Sequence, residues 1–234
     1  GSGKTTLVDL ILRTYNVPEG TVFIDGVDVN KLPIKTVRAN AAYVPQDNFL
    51  FSDTIENNIS FATDGGTHDD VEYAAKMADV HDNISEFTLG YESILGERGV
   101  TVSGGQKKRL SIAVEYIANP SLFFLDEPDS GLDGIMSKSL MQNLRNIADE
   151  GKIVMVISHA PDRASELFNK VVVLAKSVQD NCGHLAFFGS IEEAKDFFDT
   201  DSLEGVVKRI NRADEGGDGL SDFYIQKYSE RMAK

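Results

Sequence analysis

The chain has 234 residues, 41% apolar and 26% charged, which suits a soluble globular protein and excludes a disordered or collagen-like one. With 23 Lys and Arg against 37 Asp and Glu, the formal net charge is −14, which argues against a general nucleic-acid binder because phosphate contacts need clustered cations. The single cysteine, Cys182, excludes an internal disulfide, and no apolar run reaches the roughly 18–20 residues of a membrane helix.

The first residues, Gly1–Lys4, are glycine-rich and open into a helical pattern over Thr5–Tyr15. The chain begins with Gly rather than Met and reads as a fragment. Pro18-Glu19-Gly20 signals a turn, Thr21–Asp25 alternates as a strand, and Asp25-Gly26 reads as a hairpin turn. Ala41–Val44 is a short apolar strand closed by Pro45. From Asp53 to about Asn119 the pattern is mainly helical. Leu122–Leu125 reads as a strand, Ile135–Ile147 as a helix and Ile153–Ile157 as a strand again. Val171–Leu174 and Leu185–Phe188 are two further strands. The tail from Ile191 is helical, with a flexible-looking break at Glu215–Gly219. Strands alternating with helices imply an α/β layer with a largely parallel sheet, carrying an inserted helical subdomain over roughly 55–115.

Gly1-Ser2-Gly3-Lys4-Thr5-Thr6 fits the second half of the phosphate-loop pattern G-x-x-x-x-G-K-[ST]. In such a loop successive backbone N–H groups cradle phosphates, the lysine reaches the terminal ones, and the helix start adds its positive dipole end. The hydroxyl after the lysine, Thr5, would ligate Mg²⁺. The plainer alternative is a glycine-rich turn before a helix. The first glycine of the pattern, and the strand that feeds the loop, would precede the first residue of this sequence.

Leu122–Leu125 ends in Asp126-Glu127, an apolar strand tipped by two acids. Strand ends in α/β sheets are where ligands bind. Asp126 would hold Mg²⁺ through water, and Glu127 would face the γ-phosphate and polarise the attacking water. A solvated turn after a core strand is the alternative.

Val102-Ser103-Gly104-Gly105-Gln106, followed by Lys107-Lys108-Arg109, resembles the signature segment, usually LSGGQ, of ABC-type ATPases. With it stand four further segments in the family's order. The first is the phosphate loop. Tyr43-Val44-Pro45-Gln46 looks like the Q-loop, Ser130-Gly131-Leu132-Asp133 like the D-loop, and Val156-Ile157-Ser158-His159 like the switch segment. The chain thus resembles the ATP-binding domain of that family over nearly its whole length. The resemblance implies a P-loop NTPase core spanning 1–234 without its N-terminal strands, a helical signature subdomain over 55–115 and a helical tail over 200–234.

It further implies ATP and Mg²⁺ as ligands. Gln46 would reach Mg²⁺ and the attacking water, His159 would contact the γ-phosphate, and Asp133 would cross a dimer interface. Ser103 and the glycines Gly104 and Gly105, with Gln106, would meet the γ-phosphate held by a second ATPase domain in a nucleotide sandwich. A Ser N-cap with a loose glycine turn explains Ser103 equally well on its own. The partner implied is a transmembrane permease domain, on the same chain or separate, which places the protein at the cytoplasmic face of a membrane.

Val102–Glu115, Leu125–Asp133 and Gly183–Phe198 look like the white-like, G-type branch, which favours export, whereas Asn48–Ile59 reads like ABC exporters generally. Asp129 and Val102 depart from the family's usual Thr and Leu. One rival is a soluble ABC ATPase acting on ribosomes or DNA, disfavoured by the acidic charge. Another is a binding module that holds ATP without hydrolysing it, disfavoured by Asp126, Glu127 and His159. Lys107-Lys108-Arg109 reads as a solvated helix face rather than a nucleic-acid patch, and Phe187, Phe188, Phe197 and Phe198 as core. Leu203–Ile210 is either a regulatory tail or packing.

Overall fold

The computed structural model describes residues 3–63, 66–96 and 99–233. They fall into two units, Asp9–His159, and the residues up to Val8 together with those from Ala160 on. Helix α1 (Lys4–Ile11) follows Gly3, whose φ of +84° is cheap only for glycine and whose carbonyl accepts from Leu7 N at 3.0 Å. The helix ends at Ile11 rather than at the expected Tyr15, because Arg13 turns left-handed at φ +53°.

In the first unit, β1 (Phe23–Ile24) and β2 (Val27–Asp28) pair antiparallel. Asp25 and Gly26 join them, both at positive φ, which is what a two-residue hairpin turn requires. The expected strand Thr21–Asp25 is therefore shorter. Helix α2 (Ile34–Ala39), not anticipated from the sequence, precedes β3 (Ala41–Val44). Four helices follow: α3 (Ile55–Ser60), α4 (His68–Met77), α5 (His81–Ser85) and α6 (Gly104–Tyr116). Then come β4 (Leu122–Asp126), α7 (Gly134–Asp149) and β5 (Ile153–Ile157).

The strands form a parallel sheet in the order β3-β4-β5, with Val44 level with Leu125 and Leu125 with Val156. Parallel neighbours require crossovers, and the α3–α6 segment and α7 supply them. Central strand β4 buries Phe123, Phe124 and Leu125, the continuous apolar run expected of a strand covered on both faces. On α7, Leu140, Leu144 and Ile147 make the buried stripe of an amphipathic helix.

The stretch expected to be helical from Asp53 to Asn119 is interrupted between α5 and α6, where the described residues include a short 3₁₀ turn at Gly90–Glu92 and an isolated bridge from Thr54 to Ile94. Asn58, fully buried, holds the preceding loop. Its Oδ1 accepts from Phe51 N at 2.8 Å, and its Nδ2 donates to Thr54 O at 2.9 Å and Phe51 O at 3.1 Å. The expectation of a solvated face at Lys107-Lys108-Arg109 is wrong for two of the three: Lys108 is 3% and Arg109 4% exposed. Lys108 shares the buried stripe of Gly105, Ile112 and Tyr116, and Arg109 lies beside it. Arg109 donates to Asp79 O and to Asn83 Oδ1, with the Asp79 carboxylate 3.6 Å away.

In the second unit, β6 (Val171–Lys176) and β7 (Gly183–Gly189) form an antiparallel pair. Helices α8 (Ile191–Phe198), α9 (Leu203–Ile210) and α10 (Ser221–Met232) share its core with Phe187, Phe197, Phe198, Tyr224 and Tyr228. Of the four phenylalanines expected inside, Phe188 is the exception: on a strand alternate residues face opposite ways, and it is 48% exposed beneath Lys170. Leu203 and Val206 are buried, so α9 packs into the core; its N-terminus is capped by Asp162, which accepts from Leu203 N and Glu204 N. The break at Glu215–Gly219 is a bonded turn rather than a flexible link. Gly217 N donates to Arg212 O, Asp218 N to Lys208 O and Gly219 N to Asn211 O, each at 2.8 Å. Among the described residues no helix is long and apolar enough to cross a membrane.

Candidate functional site

Because β3, β4 and β5 run parallel, their C-terminal ends open at one edge of the sheet; Asp126 ends β4, and Gln46, Glu127 and His159 lie just beyond the strand ends. The ladder continues one residue past β4, where Glu127 N donates to Ile157 O at 2.8 Å. At that point Glu127 takes φ +49°, an uncommon conformation for a residue with a Cβ. The turn brings its carboxylate between two side chains. Oε1 is 2.7 Å from His159 Nε2, and Oε2 accepts from Gln46 Nε2 at 3.3 Å. Tyr43 OH approaches Asp126 Oδ2 at 3.5 Å.

One anchoring group was missed in the sequence. Lys108 of α6 donates its three protons to three backbone carbonyls: Pro45 O at 2.7 Å, Asp126 O at 2.7 Å and Gln46 O at 3.2 Å. Burial pushes the ammonium's pKa down, and the negative charges of Asp126, Glu127, Asp47 and Asp129 pull the other way. The signal that could have found it is a lysine on an otherwise buried helix stripe.

Ser103 caps α6 in a capping box: its Oγ accepts from Gln106 N at 3.2 Å, and Gln106 Oε1 accepts from Ser103 N at 2.9 Å. A Cβ on Gly105 would lie 2.7 Å from Leu132 Cδ2 and 3.3 Å from Gly131 O, so glycine lets the helix start close to the 130–133 turn. Asp133 caps α7, accepting from Ile135 N and Met136 N at 2.9 Å. Asp129, buried, meets Ser137 Oγ at 3.4 Å, a local partner for the residue where the family often has Thr. Among the described residues, Ser103, Gly104, Gly105, Gln106 and Asp133 make no hydrogen bond to Glu127, Gln46 or His159. Lys4, Thr5 and Thr6 form the exposed first turn of α1 and belong to the other unit. Gly1 and Ser2 lie outside the described residues.

Parallel strand ends carrying an acid pair, an amide and an imidazole define an NTPase-type α/β protein. Residues 1–130 match the family model described as ABC transporter, and the chain belongs to that family. It is 38% identical over 222 residues to ABC transporter B family member 22 of Arabidopsis thaliana, covering 94% of this chain and 17% of that protein. To the mitochondrial iron-sulfur clusters transporter ATM1 of Gibberella zeae it is 36% identical over 223 residues, covering 94% of this chain and 30% of the other. A solved bacterial Atm1-family ABC exporter with ATP bound matches with a TM-score of 0.74 and 33% identity, over 86% of this chain and 34% of that one. The chain therefore spans less than a third of the two curated relatives.

The expected G-type branch is not supported, since these relatives are of the B-family and Atm1 type. The segments that suggested it are explained by structural duties: Val102–Glu115 supplies a capped, buried helix, Leu125–Asp133 a strand end and a helix cap, and Gly183–Phe198 a hairpin strand and a packed helix.

Proposed function

We infer that this chain is the ATP-hydrolysing motor domain of an ABC exporter. The observation that carries the reading is the Glu127 carboxylate held between His159 and Gln46 at adjoining parallel strand ends. A carboxylate so placed can accept a proton from water as the water attacks a γ-phosphate. Gln46 orients that water. His159, whose side chain is 74% exposed, is free to exchange Glu127 for a phosphate oxygen as charge develops there.

Gly1, Ser2, Gly3, Lys4, Thr5 and Thr6 are assigned to the ATP phosphates. The oxygens of Thr5, Gln46 and Asp126 are hard donors of the kind Mg²⁺ prefers, and few protein ligands are needed where phosphates supply the rest. Bound Mg²⁺ would supply neutralisation of phosphate charge. Ser103, Gly104, Gly105, Gln106 and Asp133 are assigned to the nucleotide of a second ATPase domain. The exposed start of α6 supports this, since the first backbone N–H groups of a helix favour anions.

Phe49 and Phe51 on the loop beyond Gln46 and Phe61 at the end of α3 form an aromatic group, 75%, 44% and 69% exposed, with Phe51 5.0 Å from Phe49 and 4.8 Å from Phe61 between ring centroids. An exposed apolar cluster whose Phe51 backbone is tied to α3 by Asn58 suits docking to a transmembrane permease domain at the cytoplasmic face. The test is ATP turnover by the full-length protein with Glu127→Gln. Loss of hydrolysis with ATP binding intact supports the reading, and turnover at the unsubstituted rate refutes it.

A further inference from the structure

We propose that Lys108 is a positioning residue for hydrolysis: its ammonium holds the Asp126–Glu127 peptide and the Pro45–Gln46 segment in one frame, so that the Glu127 carboxylate and the Gln46 amide meet. The inference rests on the role given to Glu127 above.

The peptide unit joining Asp126 to Glu127 is gripped at both polar atoms. Its N–H donates to Ile157 O at 2.8 Å, and its C=O accepts from Lys108 at 2.7 Å. A peptide plane held from both sides cannot rotate, and rotation is what would let Glu127 relax from φ +49°. Strained backbone of this kind persists where its surroundings over-determine it. The same ammonium takes the two successive carbonyls of Pro45 and Gln46, which fixes where the Gln46 side chain departs. An ammonium has three protons, and this one has three carbonyl acceptors and almost no exposure to water. Lys108 touches neither Glu127's carboxylate nor Gln46's amide, so its effect passes through their backbones.

Lys108 also sits on α6, the helix that Ser103 begins. Displacement of that helix start therefore reaches the Glu127 turn through one side chain.

The experiment compares unsubstituted full-length protein with Lys108→Met, which keeps the length and removes the donors, and Lys108→Arg, which keeps charge and donors. Misplacement of a reacting group by about 1 Å costs up to ~100-fold, so Lys108→Met is expected to lower kcat by about 10- to 100-fold. The KM for ATP should stay within about twofold, and Lys108→Arg should recover most of the rate. Amide hydrogen exchange of nucleotide-free protein should quicken at Glu127 and Asp47 in Lys108→Met and not elsewhere.

A kcat for Lys108→Met within about twofold of the unsubstituted protein overturns the proposal. So does a loss that Arg does not recover and that comes with faster exchange throughout the chain. Should the unsubstituted protein fail to hydrolyse ATP, the motor reading falls while the exchange pattern still decides whether Lys108 holds the turn.

Discussion

His159 Nε2 lies 2.7 Å from Glu127 Oε1, yet 74% of the His159 side chain faces solvent against 15% of Glu127's. The two are placed by different means. Glu127 is set by its backbone, held to Ile157 O and, through Asp126 O, to Lys108. His159 projects from the end of β5 and meets solvent over most of its surface. The acid is therefore the fixed member of the pair and the imidazole the one able to change partner.

Removing the fixed member should separate chemistry from binding. Glu127→Gln keeps the shape and removes the carboxylate, so under the role proposed for it kcat should fall by about 100-fold or more, the usual worth of a general base. The Kd for ATP, measured by calorimetry, should stay within about threefold, because the segment proposed to hold the phosphates is untouched.

Arg109 should prove structural rather than catalytic. It is buried, and it joins α6 to Asp79, between α4 and α5, and to Asn83 of α5. Arg109→Ala leaves the Asp79 carboxylate without its cation and should lower unfolding stability by about 3 kcal/mol in urea titration. Arg109→Met, which refills the volume, should cost less.

The helical segment should respond to pH through His68. Its Nδ1 lies 2.9 Å from Glu56 Oε2, and that hydrogen bond, with the Glu56 charge, raises the imidazole pKa above its ordinary value. A raised folded pKa contributes stability that is present below the unfolded value of about 6.5 and lost as pH rises through the folded value. The gap in unfolding midpoint between the unsubstituted protein and His68→Gln should therefore be larger at about pH 5.5 than at about pH 8.5, and an equal gap at both would remove the pair from this role.

The exposed ring cluster provides a test of coupling. Phe49→Asp places a charge in the Phe49–Phe51–Phe61 group without touching the strand ends. In the full-length protein, transport should drop by about fivefold or more, as expected for truncating an aromatic anchor. The Kd for ATP should shift by less than about twofold. Unchanged transport would exclude the cluster as the docking surface.

How far the sequence could be read varied from element to element, for physical reasons. Strand β4 and the stripe of α7 were legible because continuous or periodic apolar residues reflect burial directly. Helix α2 was missed because six residues carry too short a period to register. Lys108 and Arg109 were misread because a run of cations reports charge and not the direction of each side chain. The α6 period turns one of them onto the Gly105–Ile112 stripe, where backbone carbonyls replace water. The Glu215–Gly219 segment looked flexible from its glycines, while its order comes from hydrogen bonds to α9 and the residues following it.

The alternation of strands and helices, the order of the glycine-lysine-threonine, amide, signature, acid and imidazole segments, and the family resemblance are legible along the chain. These are properties of residue type and spacing along one chain. That Glu127 adopts a left-handed turn, that His159 and Gln46 meet its carboxylate, and that a lysine from α6 holds the peptide before it emerge from the folded chain alone. Those relationships depend on strand register and on which carbonyls a buried ammonium can reach. Both are set by packing between segments far apart in the chain, and no local pattern encodes them.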